Sequence, residues 1–202
     1  MEHYFIDKQH SNEDYFEFTE NFEEFSFTFK SCDSIFSKDC IDYGTKVLLR
    51  TIIKKIDLKG NVLDIGCGYG AIGIILSRVF NNVKISMVDI NKTAVELSKH
   101  NVIKNHCKNI EKIDVSNAYE NVNEKYNFII TNPPIKAGKK NLLSILIGAK
   151  EHLEDNGELI LVIKKKHGEE SIKKALCENY SEVEVLNRDK GYYILRAVKW
   201  KK

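Results

Sequence analysis

Proline is almost absent from this chain, which contains two prolines in 202 residues. The two are adjacent, Pro133 and Pro134, and they follow an apolar run at residues 126–131 that is typical of a buried strand. Proline fixes its own φ, offers no backbone N–H and pushes the preceding residue into extended geometry. The sequence therefore predicts a rigid strand exit that holds the Asn132 amide and the neighbouring backbone carbonyls in a fixed direction.

Paired cysteines and long apolar runs are also lacking. The five cysteines are odd in number and form no Cys-x-x-Cys pair, so we predict neither a disulfide framework nor a zinc site and expect small buried side chains. The six histidines show no ligand spacing, so no metal site is predicted. The longest apolar stretches, residues 70–76 and 142–147, are far shorter than the ~20 residues that span a bilayer. The amino terminus does not resemble a secretory signal, and we expect a cytoplasmic protein.

Net charge is small, at +2, but it is unevenly distributed. Residues 1–29 contain eight acidic residues and one basic residue, which leaves 30 basic and 21 acidic residues in the rest, a balance of +9. A body with this charge is suited to a phosphate-rich partner. Lysines that only solvate helix faces are the alternative interpretation.

The hydrophobic pattern predicts a β-hairpin within residues 15–29, followed by alternating strands and helices. Strands are predicted at 61–65, 83–88, 110–115, 126–131, 158–164, 183–186 and 192–198, helices at 44–56, 70–80, 92–106, 139–153 and 169–180, and a turn at 155–157. This pattern predicts an α/β fold with a Rossmann-like, doubly wound, mostly parallel seven-stranded sheet. An antiparallel hairpin ends the sheet. We expect a single domain, with an amino-terminal β extension at 1–40 and a catalytic core at 41–202.

The first strand-to-helix turn is rich in glycine. Gly68, Gly70 and Gly73 match the spacing of a dinucleotide site, and Asp89 lies about twenty residues on, where a ribose-binding acid belongs. A nicotinamide enzyme is therefore one interpretation. Asp64 argues against it, because a carboxylate there would repel a pyrophosphate at the start of the helix.

A cationic ligand would be attracted by Asp64. S-adenosylmethionine carries an ammonium and a sulfonium, no phosphate, and a ribose diol that Asp89 can bind through two hydrogen bonds. Asn117, which ends the third core strand with Ser116, is placed to bind an adenine amino group, although a plain turn is the alternative. We therefore predict S-adenosylmethionine as the cofactor.

The residues after the predicted strand at 126–131 suit methyl transfer to a planar amine. Such a transfer needs the nitrogen lone pair turned out of conjugation and toward the methyl group, which two hydrogen-bond acceptors can achieve. The Asn132 side-chain oxygen and the Pro133 carbonyl can supply them, stiffened by Pro134, while Ile135 offers an apolar platform. These four residues are the predicted catalytic set. A proline turn that merely ends a strand is the alternative.

Together these segments resemble class I methyltransferases of the methyltransferase small domain family, in particular those that methylate guanine N2 of small-subunit (16S) ribosomal RNA. The resemblance covers nearly the whole chain, with blocks at residues 36–38, 41–45, 63–70, 88–91, 130–135 and 189–193. The family often has Asp where this chain has Asn117. Larger relatives also carry an additional amino-terminal domain that helps to hold RNA.

The resemblance implies a role for each block. The residues implied to bind the cofactor are Gly44, Thr45, Asp64, Gly66, Cys67, Gly68, Gly70, Asp89, Ile90, Asn117 and Asn132. Asp64 and the residues at 66–68 would line the methionine end, Asp89 would bind the ribose, and Gly44 with Thr45 would close the pocket. The residues at 132–135 would hold the acceptor.

The predicted partner is RNA, from ribosomal RNA or the small ribosomal subunit, with no membrane, no metal and a monomer favoured. Residues predicted to bind substrate are Phe36, Lys136, Lys139 and Lys165. The three lysines belong to a predicted rim beside the acceptor pocket that also includes Lys140, Lys164, Lys166 and His167. A protein glutamine N5-methyltransferase is one alternative, although such enzymes usually carry an aromatic residue at the position of Ile135. A catalytically idle RNA-binding or ribosome-assembly factor is the other.

Overall fold

The computed structural model describes residues 14–35, 37–135 and 138–200, with Lys139 and His167 described by their backbone alone. The described residues form two β-sheets and five α-helices. The strands are β1 Tyr15–Phe22, β2 Phe25–Cys32, β3 Gly60–Ile65, β4 Val83–Asp89, β5 Ile110–Val115, β6 Tyr126–Thr131, β7 Leu153–Lys164, β8 Glu182–Asp189 and β9 Tyr192–Val198. The helices are α1 Tyr43–Lys55, α2 Ala71–Val79, α3 Lys92–Lys104, α4 Lys139–His152 and α5 Glu169–Asn179.

Strands β3 to β9 form one sheet in the order β5-β4-β3-β6-β7-β9-β8. The first five strands in this order are parallel, and β9 runs antiparallel to both β7 and β8. The predicted doubly wound sheet with an antiparallel hairpin at its carboxyl end is confirmed. The strand order reverses between β3 and β6, and ligands of open α/β sheets bind outside the carboxyl ends of the strands at such a point.

Helices cover both faces of this sheet, which gives it two apolar cores. Helices α1, α2 and α3 pack on one face, where Leu48, Ile75 and Leu97 are buried. Helices α4 and α5 pack on the other face, where Leu146 and Leu176 are buried. Central strands covered on both sides need apolar residues at successive positions, which explains the nearly continuous apolar runs of β3, β6 and β7.

Strand β7 differs most from its prediction. The predicted turn at 155–157 lies inside the strand, because Tyr126 is opposite Leu153 whereas Phe128 is opposite Glu158. The extra residues form an irregularity in the ladder, and Asn156 has a left-handed φ of 62°. The turn assignment is therefore wrong, since these turn-forming residues make a bulge within a longer strand.

The predicted amino-terminal hairpin is confirmed and packs against α3. Its aromatic residues Phe22, Phe27 and Phe29 are buried. Asn105 accepts from the N–H of Thr28 at 3.0 Å and donates to its carbonyl at 2.8 Å. Asn101 contacts Lys30 in the same way, at 2.7 and 3.0 Å. The two side-chain amides thus hydrogen-bond to the backbone at the edge of β2, as a neighbouring strand would.

Two expectations drawn from composition concern the cysteines and membrane spans. Cys32 and Cys67 are buried and Cys107 is half-buried, but Cys40 and Cys177 are exposed. The expectation that all five fill the core is therefore wrong for the last two. No helix within the described ranges is both long and apolar enough to cross a bilayer.

Candidate active site

The predicted cofactor residues come together where β3, β4 and β6 end. These strands are neighbours and parallel, so the glycine loop after β3, Asp89 at the end of β4 and Asn132 after β6 share one edge of the sheet. The residues at 132–135, predicted to hold the methyl acceptor, are called the acceptor loop. The Thr131 hydroxyl, just before this loop, donates to the carbonyl of Ile65, just before the glycine loop, at 2.8 Å. The reversal of strand order lies between them.

The glycine loop presents open backbone at two positions. Gly66 and Gly68 have φ values of 75° and 58°, which side chains rarely adopt, and no atom lies within 4 Å of where a Cβ would stand. Such bare backbone allows a ligand to approach closely. Glycine is needed at position 73 for a different reason, because a Cβ there would lie 2.3 Å from the Met87 sulfur. Its place in the dinucleotide spacing reflects close packing of α2 on β4.

Asp64 is a buried carboxylate beneath this loop, with an exposure of 1%. Its Oδ2 accepts from the N–H of Gly73 at 3.0 Å, whereas its Oδ1 has no hydrogen-bond partner among the described residues. The pKa of Asp64 is raised to about 7, chiefly by burial; the N–H of Gly73 opposes this shift, and the negative charge of Asp89 adds to it. A carboxylate held this way is stabilised by a nearby cation and destabilised by a phosphate. The ammonium of S-adenosylmethionine fits this environment.

Asp89 is half-buried and organises the loop from the next strand. Its Oδ2 accepts from the N–H of Gly68 at 2.8 Å and its Oδ1 from the N–H of Asn91 at 2.9 Å. Burial raises the pKa of Asp89, and the backbone hydrogen bonds from Asn91 and Gly68 oppose the shift. Each carboxylate oxygen keeps a further lone pair, so both can accept from a ribose diol as predicted.

Asn132 follows β6, on the side of the site where the sequence predicts that the methyl acceptor binds. Its Nδ2 donates to the Asp42 carboxylate at 3.2 Å and to the Thr45 hydroxyl oxygen at 2.8 Å. Pro133 is buried, and Pro134 and Ile135 are half-buried, with Ile135 packed against the core under α4. The Asn132 side chain is thus held by residues at the start of α1, whereas Ile135 packs into the core that α4 covers.

The remaining predicted cofactor residues lie around this edge in different environments. Cys67 is buried, with its sulfur 3.6 Å from the Ser98 hydroxyl, and Ile90 is half-buried just after β4. Gly70 caps the start of α2 with a φ of 93°. Asn117 is exposed and donates to Glu120 at 2.8 Å, so its adenine contact stays a prediction.

Gly44 and Thr45 lie in the first turn of α1. A Cβ at Gly44 would lie 2.8 Å from the Tyr192 ring, so the helix start packs tightly under this tyrosine. Thr45 directs its hydroxyl to Asn132. Sequence reasoning gave no role to Asp42 or Tyr192, although both fall within the blocks that carry the family resemblance.

The predicted substrate residues are only partly described. Phe36 and Lys136 lie outside the described residues, as does the side chain of Lys139. Lys165 is exposed and lines a cleft of about 530 Å³ at the end of β7, one strand away from the acceptor loop. The cleft is lined by Lys164, Lys165, Lys166, Gly168, Glu169, Glu170 and Gly191. In the part of the chain that the structure describes, no group of His, Cys, Asp and Glu could hold a metal ion.

The fold and this edge of the sheet define a class I methyltransferase, the class whose cofactor is S-adenosylmethionine. Residues 26–196 match the family model of the methyltransferase small domain. The chain belongs to the methyltransferase small domain family.

Relatives by sequence include proteins of equal and of greater length. The uncharacterized protein YbxB of Bacillus subtilis is 41% identical over 202 residues, which is 98% of each chain. The ribosomal RNA small subunit methyltransferase C of Erwinia tasmaniensis is 31% identical over 176 residues, covering 85% of this chain and 49% of the relative. The chain therefore spans about half the length of the ribosomal RNA methyltransferases that it matches.

Solved structures share the fold at low sequence identity. The T. thermophilus 16S rRNA N2 G1207 methyltransferase, in complex with AdoMet and guanosine, superposes with a TM-score of 0.82 at 22% identity over 92% of this chain and 50% of that chain. The ribosomal protein L11 methylase of Lactobacillus delbrueckii superposes with a TM-score of 0.65 at 19% identity over 77% of this chain and 79% of that chain. One neighbour is named for an RNA and the other for a protein, so the fold does not identify the methyl acceptor.

Proposed function

We propose that this protein transfers the methyl group of S-adenosylmethionine to an exocyclic amine of RNA, namely guanine N2 of small-subunit (16S) ribosomal RNA. The observation that carries the proposal is the orientation of Asn132. Its Nδ2 is engaged by Asp42 and Thr45, and no described residue donates to its Oδ1. A hydrogen-bond acceptor is thereby left for an N–H of the substrate.

Each residue has a defined task in this reaction. The cofactor, when bound, supplies an electrophilic methyl group. The Asn132 Oδ1 and the Pro133 carbonyl accept from the two N–H groups of the amine and turn its lone pair toward the methyl group. Ile135 bears on the flat face of the base. The amine proton becomes acidic once the new bond forms and leaves to water, so no strong general base is needed.

Two observations support RNA as the acceptor. The relatives that share 31–35% identity with this chain include several enzymes named for small-subunit ribosomal RNA. The cleft beside the acceptor loop carries three successive lysines, at 164–166, which suit contacts to RNA phosphates. Phosphate contacts position a substrate without reading its sequence, so the choice of guanine is left to the acceptor pocket.

A nucleoside analysis tests the proposal directly. Small-subunit ribosomal RNA from cells that lack the protein is digested and its N2-methylguanosine measured by mass spectrometry. We expect one modification per subunit to disappear, and to return with the wild-type gene but not with Asn132→Ala. The N132A protein should keep its cofactor affinity, measured by calorimetry, and lose at least about 100-fold in turnover.

Three outcomes would contradict this function. Unchanged ribosomal RNA together with a missing methyl group on a glutamine side chain would identify a protein methyltransferase. Tight cofactor binding without methyl transfer to RNA or protein would favour the idle assembly factor. Full complementation by N132A would exclude the acceptor role of the asparagine itself.

A further inference from the structure

Asn132 is oriented by a residue that lies 90 positions earlier in the chain. Its Nδ2 lies 3.2 Å from Asp42 Oδ2 and 2.8 Å from Thr45 Oγ1, and the neighbourhood is half-buried or buried. An asparagine amide has two similar edges, one with a carbonyl oxygen and one with an NH2 group. Only the oxygen edge can accept from the amine of a substrate. The orientation of the amide therefore decides whether the site can work.

The two neighbours of Asn132 differ in what they permit. A threonine hydroxyl can donate or accept, so Thr45 is compatible with either orientation of the amide. An ionised carboxylate only accepts, so Asp42 is compatible only with the NH2 edge. In the reversed orientation the amide oxygen would face the carboxylate oxygen, so two acceptors would stand against each other and the hydrogen bond between Asn132 and Asp42 would be lost in a half-buried place. Asp42 is thus the residue that selects the orientation.

Asp42 is itself fixed by the start of α1. It is the N-cap of this helix, and its Oδ2 also accepts from the N–H of Thr45 at 3.2 Å. Gly44, two residues after Asp42, packs against the Tyr192 ring: a Cβ at this position would lie 2.8 Å from the nearest ring carbon. The cap therefore has little freedom to shift away from Asn132.

We propose that Asp42 is a positioning residue for methyl transfer, which holds the Asn132 amide with its oxygen toward the substrate amine. The inference rests on the proposed function for its chemistry, and it goes beyond it by naming a residue that acts without touching the substrate. It also changes the role of Thr45, which the family resemblance places at the cofactor pocket and whose hydroxyl contacts the acceptor asparagine. Asp42 orients the Asn132 amide, and the amide oxygen of Asn132 binds the substrate amine.

Two substitutions separate orientation from helix capping. Asp42→Ser keeps a good N-cap for α1 but is too short to reach Asn132, so stability and cofactor affinity should stay near those of the wild type. Its kcat should fall about 10-fold to 100-fold with KM little changed. Asp42→Asn has the shape of aspartate, and its oxygen can accept from both Thr45 and Asn132. We expect it to recover most of the activity.

A double-mutant cycle tests whether Asp42 acts through Asn132. In the N132A background, D42S should cost no further activity, because the group that it orients is gone. Losses that multiply would overturn the proposal, as would a D42S enzyme with wild-type kcat or one impaired only in cofactor affinity. Each variant is assayed on small subunits from cells that lack the protein.

A measurement that needs no substrate keeps the two proposals distinguishable. The side-chain NH2 resonances of Asn132, assigned by their loss in N132A, should show slow hydrogen exchange in the wild-type protein and fast exchange in D42S. Equal exchange in both would overturn the positioning role. Slow exchange in a protein that methylates no RNA would support the role of Asp42 and reject the proposed substrate.

Discussion

Asp64 is the single residue whose protonation state the cofactor should change most. Its ordinary pKa of 3.8 is raised to about 7 by burial, and one of its oxygens has no partner among the described residues. The folded protein without cofactor therefore binds more protons than the unfolded chain between these two pH values. Asp64 thus lowers stability progressively as the pH rises through this range, and the loss is complete above about 7.

Cofactor binding should reverse part of this effect. A cationic group near Asp64 favours the charged carboxylate and lowers its pKa, so binding below pH 7 must release a proton. We expect cofactor affinity to rise by up to about tenfold per pH unit between pH 5.5 and 7 and then to level off. Calorimetry in two buffers of different ionisation enthalpy would measure the released proton. An affinity that is independent of pH would contradict this assignment.

Asp64→Asn is the matched variant for this prediction. Its side-chain oxygen can still accept from the N–H of Gly73, while the buried charge is gone. We expect the variant without cofactor to be at least as stable as the wild type at pH 8, with little pH dependence from this site. Its stabilisation by the cofactor in a thermal unfolding assay should be largely lost. A large loss of stability without cofactor would instead indicate that the carboxylate is a structural requirement.

Residues of the site differ in how far the sequence could predict them. The placement of Asp64, Asp89 and Asn132 at one edge of the sheet could be predicted, because each lies within a short motif near the end of a parallel strand. The role of Asp42 could not, since it depends on a contact between residues 90 positions apart. Locally Asp42 is simply a residue before a helix. The sequence thus predicts the groups that carry chemistry more readily than the groups that orient them.

The amino-terminal hairpin is held by Asn101 and Asn105, and Asn101 also contacts the glycine loop. Asn101 lies in the last turn of α3 and Asn105 is the C-cap of this helix, four residues on, a rise of about 6 Å. Thr28 and Lys30 lie two residues apart on β2, about 7 Å. Because these two spacings nearly match, the two asparagines can hydrogen-bond to alternate residues along one edge of β2.

Asn101 and Asn105 should nevertheless differ in their effect on the cofactor. Each bonds the backbone of β2, but only Asn101 also donates to the carbonyl of Tyr69 in the glycine loop, at 2.9 Å. Replacing either by Ala should destabilise the protein by about 1–3 kcal/mol, because a half-buried N–H and C=O of β2 lose their partners. Only N101A should also weaken cofactor binding, by several-fold in calorimetry. Equal cofactor affinity in the two variants would refute the link through Tyr69.

Element boundaries show which local signals mislead. The Asp-Asn-Gly segment at 155–157 has the composition of a turn, and the sequence pattern alone places β7 after it. In the structure β7 begins at Leu153, since β6 already offers Tyr126 as a partner there. Neighbouring strands decide such cases, and their register is not visible along one stretch of sequence.

At the scale of the whole molecule, the family and its fold identify methyl transfer, but they do not identify the methyl acceptor. The charge and the shape of the surface around the site must select it. Neighbours named for an RNA and for a protein superpose on the same sheet. The features of this chain that bear on the acceptor are the charge of +9 on residues 30–202 and the lysines at 164–166 at the end of β7. Another cleft lies at the amino-terminal ends of the parallel strands and is lined in part by Lys59 and Asn127; its Arg196 is paired with Glu158 and Glu184.

Salt dependence can test whether the lysine cleft holds RNA phosphates. Each phosphate contact releases counterions, so the logarithm of affinity falls with the logarithm of salt concentration by about 0.7 to 0.9 per contact. Neutralising Lys165 and Lys166 together, as K165Q and K166Q, should weaken RNA binding and reduce this slope by about 1 to 2. Cofactor affinity and thermal stability should stay unchanged, because both side chains are exposed.

The control for this double variant removes the same charge from the opposite edge. Lys59 and Lys84 are exposed by 69% and 66% and lie at the amino-terminal ends of β3 and β4. Their replacement by Gln lowers the net charge equally, so it should change long-range attraction alike but leave the salt slope nearly intact. Filter binding of small-subunit ribosomal RNA at four salt concentrations would compare the three proteins. Identical slopes for both double variants would mean that attraction to RNA comes from net charge alone, and the cleft would lose its assignment as a phosphate site.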